Sequence, residues 1–153
     1  MISGRLVHLI ETNGEQIIDR LVAQIRRDPE MTHTRSLLDH ELRQWGLDLL
    51  QHLGNWLAAG SEHDLALRYE RLGKFCIDEE IPLHETVHGL CLLREKMLDF
   101  TEEHLVSNSS VELYAEEELV RRLGRFFDHL IVHLVRGYEN GLHRTMRAGA
   151  ATH

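Results

Sequence analysis

At 153 residues, 42% of them hydrophobic and 27% charged, the chain is long enough for one domain with its own core and too apolar for a disordered segment. Lys and Arg total 17 against 25 Asp and Glu, and the formal charge of −8 repels phosphate backbones and anionic membranes, so nucleic acid is excluded as an expected partner. No span approaches the ~20 apolar residues of a membrane helix, and no leader-like segment opens the sequence, which predicts a cytoplasmic address without membrane insertion.

From Gly4 to about Arg27, Leu6, Ile10, Ile17, Leu21 and Ile25 recur at helical spacing. Asn13-Gly14 is a turn dipeptide inside this pattern, so a kink or two shorter helices can replace one rod, and Asp28-Pro29 ends it. Ser36, three residues before Asp39, predicts a capped start for a second helix. Its stripe is Leu38, Leu42, Trp45, Leu49, Leu53 and Trp56, and Gly60 stops it. Ser61 and Asp64 repeat the capping pattern ahead of a third helix with Leu65, Tyr69, Leu72 and Cys76 on its buried side.

Pro82 suits the first turn of a fourth helix, since it lacks only a donor that would be unpaired there. Leu90 to Leu93 cover every direction round its axis, which predicts a central helix surrounded by the others. Val106 to Ser110 is polar punctuation. Ser109 and Glu112 then cap a fifth helix with acidic residues near its start, arginines farther along, and a seam of Val120, Leu123, Phe127, Leu130, Leu134 and Tyr138. Gly137 and Gly141 either end this helix or admit another backbone. The expected fold is therefore all-α, a single-domain bundle of about five helices, with globin-like packing as one form. Residues 1–141 are expected to form the helical domain and 142–153 a weakly ordered tail or a continuation of the last helix.

His84-Glu85-Thr86-Val87-His88 matches HExxH, in which two His one turn apart bind zinc and Glu is the general base. The longer metalloprotease pattern fails at Cys91 and Arg94, and with 12 His in the chain a chance match is unsurprising. His84, His88, Cys91 and Glu95 share one line of the helix, which a soft metal could use if that line faced neither solvent nor leucines. His129 and His133 are a second one-turn pair, read as core-edge imidazoles, haem ligands or a pH-sensitive rim. A di-iron carboxylate site needs Glu-x-x-His on two helices. Glu85 and His88 supply one half, but Glu30 and His33 fall in a connection. Cys76 and Cys91 are too few for a disulfide framework and suit a reducing compartment.

The segment RLGKFCIDEEIPLHETVHGLCLLREKMLDF, Arg71 to Phe100, resembles the central part of the amino-terminal regulatory domain of RsbR-type stressosome co-antagonists and some bacterial sensor histidine kinases. Leu72-Gly73, Ile81-Pro82-Leu83, Glu85-x-Val87 and Leu92-Leu93-Arg94 carry the likeness, and FFDHLIVHLVRGYE, Phe126 to Glu139, is similar to the closing helix of such domains. The resemblance covers these two stretches well and the rest loosely. It implies an all-helical bacterial signal-transduction module, often dimeric, that passes a signal through its last helix to an output domain, and no catalytic role for His84 or His88.

The resulting expectation is a non-enzymatic sensory or regulatory module without metal or cofactor. It forms a homodimer through Phe126, Phe127, Leu130, Leu134 and Tyr138 and signals to a partner protein by contact. The alternatives are a metal- or haem-binding protein using His84 and His88 or His129 and His133, and a zinc metallopeptidase acting through residues 84–88.

Overall fold

The computed structural model describes residues 3–37, 39–105 and 109–151. Every regular element among them is an α-helix: α1 (Gly4–Thr12), α2 (Gly14–Arg27), α3 (Thr32–Arg35), α4 (Glu41–Gln51), α5 (Leu53–Leu57), α6 (Glu62–Asp78), α7 (Leu83–Glu103) and α8 (Ser110–Ala151). There are eight segments among the described residues where five were expected, because two long amphipathic stretches are each broken once and the connection after Pro29 holds the short α3. At Asn13 the backbone leaves the helical region, its side-chain amide donates to Leu9 O at 2.8 Å, and Gly14 starts α2 close against Leu50. At His52 both the backbone N–H and the ring Nδ1 turn back to Asp48 O, separating α4 from α5.

Two expected caps do not form. The Ser36 hydroxyl donates back to His33 O at 2.8 Å, closing the short α3, while Asp39 pairs with Arg26 of α2 at 2.5 Å. The fourth helix therefore starts at Glu41. Leu38, part of the predicted stripe, lies outside the described residues. The Ser61 hydroxyl is likewise engaged with the Trp56 and Ala58 carbonyls instead of the first turn of α6. The cap at Ser109 does form, accepting from Glu112 N at 3.3 Å. Val106 to Asn108, in the predicted polar punctuation, and Thr152 and His153, in the predicted tail, lie outside the described residues. The chain stops and turns at Gly60, whose φ of +92° is strained for any side chain, and at Pro82, which sits just ahead of α7 as expected.

The buried apolar side chains form one contiguous cluster drawn from all the longer helices. α7 contributes Leu90, Leu92, Leu93, Met97 and Phe100 and touches α1, α2, α3 and α8. Its central position is real, though Cys91 is only half-buried. The tightest seam lies elsewhere, between α6 and α8. A Cβ added to Gly137 would sit 2.5 Å from Glu70 Cα, and one on Gly73 would sit 2.5 Å from Tyr138 N, so the two backbones touch where side chains are missing. Gly141 continues the seam against Ile77. These glycines admit another backbone and do not end the helix. α8 runs on as a rod of 42 residues, about 63 Å long at 1.5 Å per residue. Residues 142–151, expected as tail or continuation, continue α8, and the side chains of 142–150 are exposed.

Candidate functional site

Leu83 to His88 form the first turns of α7, and the HExxH residues there diverge. Glu85 is 1% exposed, whereas His84 and His88 are on the outer surface. Both Glu85 oxygens are occupied. Oε1 accepts from His33 N at 3.1 Å, Thr34 N at 3.1 Å and Thr34 Oγ1 at 3.0 Å, and Oε2 lies 2.7 Å from His33 Nδ1. The carboxylate thus caps the free N–H groups of α3 from another helix. Burial pushes the Glu85 pKa up, but the hydrogen bonds from Thr34 and His33 outweigh it and hold the carboxyl below its ordinary range. A general base must have a lone pair aimed at substrate or water. Here each oxygen serves the α2–α3 connection instead.

One turn farther on, His88 Nε2 reaches Asp28 Oδ2 at 3.3 Å. Glu85 and His88, three residues apart on one face, therefore fasten both ends of the segment from Asp28 to Thr34 onto α7. Asp28, His33 and Thr34 were invisible as partners in the sequence, because they lie more than 50 positions away and carry no spacing signal. The line His84, His88, Cys91 and Glu95 faces outward, with Cys91 half-buried and the other three exposed, so the condition for a soft-metal site is not met. Among the described residues no group of three or more His, Cys, Asp or Glu is placed to hold a metal. Cys76 is enclosed beside Thr86, with Sγ to Oγ1 at 3.2 Å, and burial raises its thiol pKa, the setting of an inert structural cysteine.

The expected interface is corrected. Phe126, Phe127, Leu130 and Leu134 are buried inside the chain, packed beneath α8, and only Tyr138 is half-exposed. The predicted intermolecular band is thus the intramolecular seam of α8. The apolar residues left outside lie on the adjoining side of the helix, and Val120, expected in the seam, is among them. Leu113 is 52% exposed, Val120 45% and Met146 62%, with Leu142 also exposed and Ile131 and Val135 half-buried.

His129 and His133 lie on α8 beside α5 and the start of α6. His129 is exposed, and His133 is half-buried with Nδ1 lacking any hydrogen-bond partner in the protein. They line a surface cleft rather than the interior. A small apolar space of about 80 Å3 lies among α2, α4, α6 and α7, bordered by Trp45, Tyr69, Glu85 and Leu93. That is far below the roughly 300–1,000 Å3 of sites that enclose drug-sized ligands, so a haem does not fit there. Burial raises the Tyr69 phenol pKa far above its ordinary value, and the neutral ring stacks obliquely on Trp45 at 5.9 Å. Arg68 lies over Trp45 at 4.4 Å and near Trp56 at 5.8 Å while pairing with Asp48 at 3.0 Å, which ties α4, α5 and α6 together.

No helix among the described residues is long and apolar enough to cross a membrane. Comparison with protein-family models, with curated proteins and with solved structures finds no match for this chain.

Proposed function

We propose that the chain is a non-enzymatic regulatory module that pairs with a second copy along the outer face of α8 and acts by protein contact. The observation that carries this reading is the second apolar face of α8. At 100° per residue, Leu113, Val120, Gly124, Ile131, Val135, Leu142 and Met146 share one side, which adjoins the buried seam at Phe127 and is centred roughly 115° from its middle. The stripe continues onto residues 142–150, whose side chains are exposed, although a helical segment that short is marginal in water without a partner. Charge selects the partner as another copy. Glu116 and Glu117 lie near one end and His143 and Arg144 near the other. An antiparallel copy centred at the level of residue 130 sets Glu117 against His143, Arg121 against Glu139 and Tyr114 against Met146. Isologous two-fold pairing of this kind satisfies both ends at once.

The arrangement of Glu85 supports the non-enzymatic half of the reading, since its oxygens bind backbone and hydroxyl donors of its own chain. The likeness of Arg71 to Phe100 and of Phe126 to Glu139 to the RsbR-type regulatory domain, with its globin-like helical packing and cytoplasmic signalling role, belongs to the same proposal.

Sedimentation velocity tests the pairing. A concentration-dependent dimer is expected, dispersed by Leu142→Glu with helical content unchanged. In a Cys91→Ser background, Tyr114→Cys combined with Met146→Cys should cross-link between chains, while Met146→Cys alone should not. A monomer at high concentration overturns the dimer, and cross-linking by Met146→Cys alone overturns the antiparallel register. Zinc-dependent peptide hydrolysis that vanishes in Glu85→Gln would overturn the non-enzymatic reading.

A further inference from the structure

A second feature of the surface does not belong to the α8 pairing face. Between α5, the start of α6 and the middle of α8 lies a cleft of about 300 Å3, at the lower end of the range for small-ligand sites. Its α8 wall carries four nitrogen-bearing side chains, Arg122, Arg125, His129 and His133, one turn or less apart. In a chain with a formal charge of −8 this is a local concentration of donors, and Glu62 is the one carboxylate on its rim.

Two polar nitrogens among the cleft residues are unsatisfied. Trp56 Nε1 and His133 Nδ1 are buried without a hydrogen-bond partner in the protein. An indole N–H can only donate, and a buried donor left unpaired costs about 1–3 kcal/mol, so such groups are normally matched by an acceptor. Arg125 pairs with no carboxylate among the described residues. Arg122 is held in place by donation to Ser3 Oγ at 3.0 Å, which in turn donates to Glu118 at 2.8 Å, so that part of the wall is rigid. The remaining lining is apolar, with Leu57, Leu65 and Phe126.

We propose that this cleft binds a small organic carboxylate: an anionic head that accepts hydrogen bonds from Trp56 Nε1, from His133 in its Nδ1–H form and from the Arg125 guanidinium, carried on an apolar body that lies against Leu65 and Phe126. A carboxylate is acceptor-only and suits a wall that carries N–H donors, and the apolar lining selects against a bare inorganic anion. Residues 122, 125, 129 and 133 lie on the opposite side of α8 from the pairing face, so occupancy of the cleft and pairing are separate events on one helix. The proposal holds whether or not the chain dimerises.

Isothermal titration of the full chain with benzoate and with octanoate tests it, with inorganic phosphate as the probe of charge alone and octanol as the probe of apolar body alone. Saturable binding of at least one carboxylate is expected, with phosphate and octanol weaker. Trp56→Phe, which keeps an aromatic ring and removes the donor, and Arg125→Gln, at an exposed position, should each weaken binding about tenfold, the equivalent of one charge-assisted hydrogen bond. Circular dichroism of both variants checks that they fold. No binding of either carboxylate, or binding that neither substitution changes, overturns the proposal. Phosphate binding as tightly as octanoate overturns the apolar-body part and leaves a plain anion cleft.

Discussion

Replacing Gly137 by Ala places a methyl group where α8 meets α6. The added carbon would lie 2.5 Å from Glu70 Cα and 2.6 Å from Glu70 C, and ordinary van der Waals contact begins near 3.4 Å. Because the obstacle is backbone, no side-chain rotation relieves it. The two helices must part by about 1 Å at this point, and gaps of that size forfeit a quarter to a half of each contact well along the seam. Overpacking of this kind costs about 1–3 kcal/mol, occasionally more, against a gain of about 1 kcal/mol from the better helix propensity of Ala. Gly124→Ala supplies the control. It lies on the same helix, a Cβ there meets nothing within 4 Å, and it takes the propensity gain alone. The propensity gain cancels between the two variants, which should therefore differ by roughly 1–3 kcal/mol, or about 2–12 °C in Tm for a chain of this size. Thermal and urea unfolding at the same low protein concentration, so that association contributes little, would measure this. If Gly137→Ala melts together with Gly124→Ala or above it, the backbone contact is not there and the reasoning fails.

Glu85→Gln removes the charge that four donor contacts hold, and should cost about 2–3 kcal/mol at neutral pH, measured by urea unfolding. Because the folded pKa of Glu85 is depressed, its stabilisation is fully present above the ordinary carboxylate range and is lost as pH falls through the depressed value. The wild type should lose its margin over the Gln variant in that acid window, and a margin that grows instead would contradict the assignment. Phe127→Ala should lower stability by about 3–5 kcal/mol even where the chain is monomeric, because the ring is buried within the chain. A variant that keeps its unfolding midpoint and loses only self-association would restore Phe127 to an intermolecular face.

HExxH at 84–88 shows how a motif can be read correctly as spacing and still mislead as chemistry. The helix and the one-turn separation of His84 and His88 were legible, since both follow from the 3.6-residue period that Pro82 starts. That Glu85 turns inward onto His33 and Thr34 was not legible, because it depends on where the chain returns after Pro29. The same limit separates the two apolar faces of α8. Each face has helical periodicity, and only the position of α6 and α7 decides that Phe127 and Leu134 lie inside while Val120 and Leu142 remain outside. Trp56 and His133 are a third case: they are 77 positions apart, and only the folded chain shows that both leave a nitrogen unpaired beside one cleft.

From its residues alone the chain specifies helices, their approximate ends and the absence of strand-like alternation, because propensity, periodicity and breakers such as Asn13-Gly14 and Pro82 act over one or two turns. The tertiary structure decides which face of each helix meets its own chain, which glycines let backbones touch and which carboxylate serves as a fastener. Those outcomes depend on the relative orientation of segments dozens of residues apart, and no local pattern encodes that orientation.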